Sequence, residues 1–221
     1  MERIMKKSRE KWKKKLGVSA ALLAAFALFT AAVRCVDVRA IGPQGSSVGF
    51  AGINGFVHGL TGVHVALYAI TDWLGLIPFA VCAGFGVMGL SQWIRRRSLL
   101  KVDRDILFLG AFYIAVIAVY LLFEVCVVNY RPVLIEGRLE ASYPSSTTML
   151  TLSVMLTARM QAFARIRRGG LSACVAFLID GFTAFMVLGR LVSGVHWFTD
   201  IVGGALLSAG LAALYAAVSS K

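Results

Sequence analysis

The stretch GRLVSGVHWFTD, residues 189–200, decides how this chain reads. It places one arginine, one histidine and one aspartate in an otherwise apolar third of the sequence. Arg190 precedes His196 by six residues, and His196 precedes Asp200 by four. A histidine one helical turn before an aspartate can share a hydrogen bond with it, which fixes the ring's tautomer and orientation. The same residues also suit a plainer reading: a helix start beside a hydrogen-bonded histidine at a membrane surface. Taken alone, the stretch leaves both readings open.

Composition sets the class. The 221 residues are 58% hydrophobic and only 15% charged, with a mean hydropathy of +0.77. Soluble domains carry about a quarter charged residues. Here the charge is clumped at the edges of apolar runs, which indicates an integral membrane protein of one helical bundle. The formal net charge of +12 would suit a nucleic-acid binder. Its confinement to the ends of apolar segments is what membrane orientation requires instead, so no nucleic-acid partner is expected. The four cysteines (Cys35, Cys82, Cys126, Cys174) are scattered and show no CxxC or Cys/His metal spacing, so neither a metal nor a cofactor is expected. Cys82 and Cys174 lie inside apolar runs and read as small buried side chains.

The expected fold is all-α, an integral membrane bundle of six transmembrane helices. Residues 1–16 carry eight Lys or Arg and read as a basic cytoplasmic segment; residues 17–221 form the six-helix domain. The first helix covers 17–33. Residues 41–63 are rich in Gly and Ser and read as an extracytoplasmic loop or re-entrant segment. The second helix runs from about residue 72 or 74 to 94, and the third from 106 to 128. A short polar segment, 129–144, precedes the fourth, which starts at Ser145 or Ser146 and ends near Arg165. The fifth covers about 171–188 and the sixth 199–218.

Six helices put both termini on one side. On that scheme eighteen of the 23 basic residues share the side of the termini, Lys221 included, and five (Arg34, Arg39, Arg131, Arg138, Arg190) lie opposite. The asymmetry favours cytoplasmic termini and a plasma-membrane protein. It also brings 129–144 and 190–200 to one extracytoplasmic surface.

Three clusters meet there: Asn129-Tyr130-Arg131-Pro132, Tyr143-Pro144-Ser145-Ser146-Thr147-Thr148, and residues 189–200. An arginine near lipid is costly unless paired or hydrated, and its planar fork suits phosphate oxygens. A proline followed by hydroxyl residues starts a helix, whose free N–H groups attract anions. A histidine with a neutral Nε2 can attack phosphorus while Asp200 holds Nδ1–H. Each part has a plainer alternative: Arg131-Pro132 as a loop dipeptide, Ser145 as an N-cap, His196 as an interface histidine. The conjunction is far more specific.

These clusters resemble the three signature motifs of the type 2 phosphatidic acid phosphatase family, over roughly residues 50–220. The third family motif is Ser-Arg, five residues, His, three residues, Asp. Here Gly189 stands at the serine, and Arg190, His196 and Asp200 match. The resemblance implies His196 as the nucleophile forming a phosphohistidine, Asp200 as its orienting partner and Arg190 as a phosphate ligand. The first motif is Lys, six residues, Arg-Pro; Arg131-Pro132 match, while Glu124 stands at the lysine. Glu124 can pair with an arginine, and Arg138 is an alternative phosphate holder. The second motif is Pro-Ser-Gly-His; here it is Pro144-Ser145-Ser146-Thr147. Ser145 and Ser146 remain phosphate ligands by this resemblance, while Thr147 replaces the family's general acid.

That replacement bears on substrate. A general acid typically contributes about 10²–10⁴-fold in rate, and threonine cannot serve as one. A diphosphate expels a phosphate, which needs little protonation. The favoured reading is hydrolysis of a lipid diphosphate, such as a polyprenyl diphosphate. A broad lipid monophosphate phosphatase is the alternative, with His58 or His64 supplying the proton. A third reading is a non-hydrolytic lipid-phosphate binding or transport protein. Asp180, in mid-helix, is a functional candidate as an intramembrane carboxylate; the favoured structural alternative is a protonated acid, or one bonded to a Ser or Thr across helices. Trp73, Trp93 and Trp197 are expected as interface anchors.

Overall fold

The basic segment and the apolar run after it form one continuous helix, α1 (Glu2–Cys35), in the computed structural model, which describes residues 2–219 and the side chains from residue 9 onward. Lys221, expected as a basic terminus, lies outside the described residues. The other helices are α2 (Ala51–Thr61), α3 (Val65–Leu74), α4 (Leu76–Arg96), α5 (Arg104–Val125), α6 (Ser146–Arg165), α7 (Gly169–Val192) and α8 (Phe198–Ser219). No strand occurs among the described residues.

Among the described residues, five stretches are long and apolar enough to cross a membrane: Arg9–Cys35, Val65–Arg96, Arg104–Val125, Gly169–Val192 and Phe198–Ser219. The chain is therefore a multi-pass membrane protein, with five such spans against the six expected. The fourth helix of the expectation, α6, is present and has 20 residues, the length a crossing needs, but it is too polar to qualify by composition. Its Thr148, Thr151, Ser153, Thr157 and Gln161 are buried, because α6 packs against α4, α5, α7 and α8. Polar side chains inside such a bundle bond across helices instead of meeting lipid. Tyr113 on α5 meets Thr157 at 3.2 Å, and Gln161 donates to the Tyr215 hydroxyl on α8.

Two expectations shift. The second helix begins earlier, at Val65, and is broken at Gly75, where α3 ends and α4 begins. The glycine-rich segment 41–63 contains a 3-10 turn, Pro43–Gly45, and the helix α2. What distinguishes α2 from loop is its anchoring: Asn54 is fully buried and bonded to Thr199 on α8 and to the Gly49 carbonyl.

Aromatic packing holds the middle. Phe26 on α1 lies edge-on to Phe123 on α5 and stacks on Tyr143, and the Tyr143 hydroxyl meets Thr30 Oγ1 at 2.8 Å. At the end of the bundle away from residues 189–200, Arg165 on α6 pairs with Asp105 on α5 at 2.7 Å and reaches Asp103 at 3.5 Å. Arg96 holds Asp103 at 2.8 Å, and this bond keeps the Asp103 carboxyl below its ordinary range. These pairs tie α4, α5 and α6 where the positive charge clusters.

Asp180 on α7 pairs with Arg159 on α6 at 2.9 Å, so its partner is an arginine and not the expected Ser or Thr. Cys174 is exposed on the bundle exterior and Cys82 half-buried, and all four cysteines are free. Both side chains were expected inside; being apolar, they sit equally well against lipid.

Candidate active site

The polar segment after α5 folds into a small hairpin that aims Arg131. Tyr130 pairs with Ala141 in antiparallel fashion and Ile135 with Arg138. Arg131 N–H donates to the Glu140 carbonyl at 3.0 Å, and Ser142 N–H to the Asn129 carbonyl at 2.9 Å. Residues 131 and 129 thus share one side of the hairpin. The Arg131 side chain is nearly buried, with Nε 3.1 Å from Glu140 Oε2 and Nη1 3.3 Å from His196 Nε2.

His196 sits in the turn between α7 and α8. Gly194 makes that turn with φ +68, and a Cβ there would collide with the Gly62 carbonyl oxygen, so only glycine fits. Asp200 lies in the first turn of α8, where a carboxylate offsets the helix's unpaired N–H groups. Its Oδ2 accepts from Trp197 N–H at 2.9 Å and lies 3.5 Å from His196 Nδ1. The two side chains are neighbours, but the expected hydrogen bond is not made: His196 Nδ1 has no hydrogen-bond partner. Oδ2 gives its shorter bond to the backbone of α8. Ser145 N–H donates to the Asp200 carbonyl at 3.0 Å, joining the start of α6 to the start of α8.

His196 is buried, and its pKa lies well below the ordinary 6.5. Desolvation is the main cause, followed by the charges of Arg131 and Arg190. At neutral pH the ring is uncharged, as a nucleophile must be.

Arg190 is almost wholly buried and turned toward α3. Its Nη1 donates to Thr71 Oγ1 at 3.2 Å and to the Tyr68 carbonyl at 3.4 Å. Nη2 pairs with Asp72 Oδ1 at 3.3 Å, and the guanidinium lies 4.8 Å over the Tyr68 ring. It contributes charge to His196 and is held by α3 in this arrangement. Gly189 makes the approach of α3 feasible: a Cβ there would meet Thr71 Cγ2 at 2.8 Å.

The remaining expected residues divide into two groups. Ser145 is fully buried as the N-cap of α6, its Oγ accepting from Thr148 N–H at 3.4 Å. Ser146 and Glu124 line a polar cavity of about 490 Å³ together with Arg131, Tyr120, Tyr130 and Glu140. Thr147 lines an adjoining, mostly apolar cavity that also holds Asp72. Outside this assembly, Arg138 is exposed at the hairpin tip. His64 is exposed, its Nε2 2.8 Å from the Thr61 carbonyl. His58 is half-buried on α2 with its ring 5.4 Å from Trp197, and burial lowers its pKa. Trp197, expected at the interface, is buried and donates Nε1–H to the Tyr130 carbonyl at 2.7 Å. It clamps the hairpin to the start of α8.

Several supporting residues, all but Asn129 not singled out from the sequence, hold this arrangement. Asn54 accepts from Thr199 N–H at 3.1 Å and donates to Thr199 Oγ1 at 2.9 Å and to the Gly49 carbonyl at 2.8 Å. It caps α8 in trans. Asn129 and Ser142 neighbour the Asp200 carboxylate. Thr71 and Asp72 hold Arg190. Each lies far along the chain from its partner; the signal for Asp72 was a carboxylate within an apolar helical run.

The family model of the PAP2 superfamily matches residues 111–221, which contain all three clusters. No curated protein matches the chain. Among solved structures, the crystal structure of a transmembrane PAP2-type phosphatidylglycerolphosphate phosphatase from Bacillus subtilis superposes with a TM-score of 0.62 at 14% identity, covering 90% of this chain and 93% of that one. That likeness supports the fold. With the family match covering half the chain, and with Arg131, His196 and Asp200 meeting in one buried site, the chain belongs to the PAP2 superfamily and is a membrane phosphatase.

Proposed function

We propose that this phosphatase hydrolyses a lipid diphosphate, a polyprenyl diphosphate such as undecaprenyl diphosphate being the favoured class, at the extracytoplasmic face of the plasma membrane. The observation that carries this reading is the placement of His196: Nε2 faces Arg131 Nη1 at 3.3 Å while Nδ1 faces Asp200. In the first step Nε2 bonds to the terminal phosphorus. The bond from phosphorus to the bridging oxygen breaks, and the lipid monophosphate leaves with that electron pair. Arg131 turns its donor fork from His196 to the phosphoryl oxygens. Asp200 stabilises the ring, which keeps its Nδ1 proton.

In the second step a water oxygen bonds to phosphorus and the N–P bond breaks, returning Nε2 to its lone pair. The water's proton passes to a carboxylate of the polar cavity, where Glu124 and Glu140 stand beside Arg131. Thr147 faces the apolar cavity and offers the leaving oxygen no useful acid, which favours a leaving group of low basicity. The skew of basic residues supports cytoplasmic termini, with residues 1–16 as a cytoplasmic basic segment ahead of the membrane domain.

A second reading, a phospholipid monophosphate as substrate, draws on the Bacillus subtilis protein, a phosphatidylglycerolphosphate phosphatase. Phosphate release from a lipid monophosphate and a diphosphate with the same tail separates the two. The diphosphate is expected to turn over at least about tenfold faster; equal rates would overturn the leaving-group reading.

A further inference from the structure

We propose that the outer face of α6 and α7 around Arg159 and Asp180 is the contact between two copies of this chain, packed side by side in the membrane. The proposal does not depend on the substrate. Arg159 Nε lies 2.9 Å from Asp180 Oδ1 and 3.1 Å from Oδ2, so a single N–H serves both carboxylate oxygens. Among the described residues Nη1 and Nη2 meet no acceptor, and the guanidinium stands 5.1 Å over the Phe163 ring. The pair is open on its outer side: the two side chains are 41% and 52% exposed.

Asp180 stands eleven residues past Gly169, the first residue of α7, which is about 17 Å along the helix. The hydrocarbon core of a bilayer is about 30 Å thick, so Asp180 lies near its middle. Charged groups in a span turn inward or meet water. This pair faces outward, at a depth where lipid tails offer neither donor nor acceptor. Ala173, Phe177, Asp180 and Ala184 are exposed and, at spacings of four, three and four, share one face of α7. The two alanines let a second helix come close.

What covers this face must bring a carboxylate to the outer edge of Arg159 and a cation to Asp180, both at the depth of the pair. A second copy does so by construction. It inserts in the same direction, so a two-fold axis along the membrane normal sets its Arg159 and Asp180 level with the first pair. Two arginines and two aspartates then alternate in a neutral ring of four. Each Arg159 bonds through Nε within its own chain and through Nη across the seam. An unrelated partner would need the same two charges at the same height.

The full-length protein is reconstituted in liposomes over a range of lipid dilutions, and its oligomeric state is read by single-molecule photobleaching. Wild type is expected to be a dimer. Arg159→Gln combined with Asp180→Asn removes both charges and orphans neither. Its dimer dissociation constant is expected to rise at least about tenfold, the scale of a polar contact or two between helices in a membrane. A cooperative thermal transition reports that this variant is folded. The seam is located separately, in protein whose four cysteines are changed to alanine. There Ala184→Cys is expected to cross-link between copies through a short bismaleimide. Ile114→Cys, on the exposed surface of α5, is expected not to. Where the double variant lacks a cooperative transition, the cross-linking pattern alone decides. A monomer at every dilution, a dimer indifferent to the folded double variant, or equal cross-linking from both positions would overturn the proposal.

Discussion

Arg131 Nη1 lies 3.3 Å from His196 Nε2. A guanidinium has donors and no acceptor, so Nε2 presents its lone pair and the ring proton resides on Nδ1, facing Asp200. The arginine proposed to hold the phosphate also selects the tautomer of the proposed nucleophile. Arg131→Lys keeps the charge and loses the planar fork. It is expected to lower kcat/KM by about a hundredfold, the cost of one preorganised donor, and to weaken orthovanadate inhibition. Steady-state kinetics with vanadate titration checks both.

Burial and the charges of Arg131 and Arg190 push the His196 pKa well below 6.5. The neutral nucleophile therefore persists as pH falls through 6.5, and the acid limb of kcat/KM is expected below that value. The unfolded chain binds this proton near pH 6.5 and the folded chain does not, so folding is favoured above that pH and loses stability as pH falls beneath it. A pH–rate profile, with thermal unfolding of wild type and His196→Gln over the same range, reads both effects. An acid limb centred at 6.5 or above would contradict the burial.

Restoring the usual serine of the third motif is expected to harm this chain. A Cβ at residue 189 would meet Thr71 Cγ2 at 2.8 Å, and Thr71 holds Arg190. Gly189→Ser is expected to destabilise by about 1–3 kcal/mol through overpacking. Adding Thr71→Ser removes that methyl, keeps the hydroxyl for Arg190, and is expected to recover most of the loss. Thermal unfolding of the single and double variants measures the coupling.

Asn54 caps the start of α8 from α2. Asn54→Ala leaves Thr199 N–H buried without its acceptor and is expected to cost about 1–3 kcal/mol. Because Asp200 stands in that same first turn, kcat is expected to fall with stability while the substrate KM changes little. Unfolding and kinetics on one preparation separate the two.

The placement of His196 beside Asp200 was legible in the sequence because its parts are local. His196 and Asp200 are one turn apart, and the chemistry of the pair does not depend on the rest of the fold. Arg131 could be brought to them by counting helices and sorting charge. The supports were not legible. Asn54 and Thr199 are joined across 145 residues, and no local pattern marks a trans cap. Trp197 reads as an interface residue by type, and the hairpin and His58 of α2 packed against it are what the sequence does not show. The polarity of α6 has a similar origin: its hydroxyls look ill-suited to lipid until four helices surround them. Gly75 divides the second span, and in the last turn before it Asp72 and Thr71 meet Arg190 of α7, a pairing no local pattern marks.

Attack of His196 on phosphorus is the step on which all the others depend. Its most direct measurement is phosphate release from a lipid diphosphate by wild type and His196→Ala side by side, with acid-labile phosphate on the protein assayed after rapid quenching. Turnover and trapped phosphate are expected in wild type, and a loss of at least about a thousandfold with no trapped phosphate in the variant. Full activity in His196→Ala would contradict the attack.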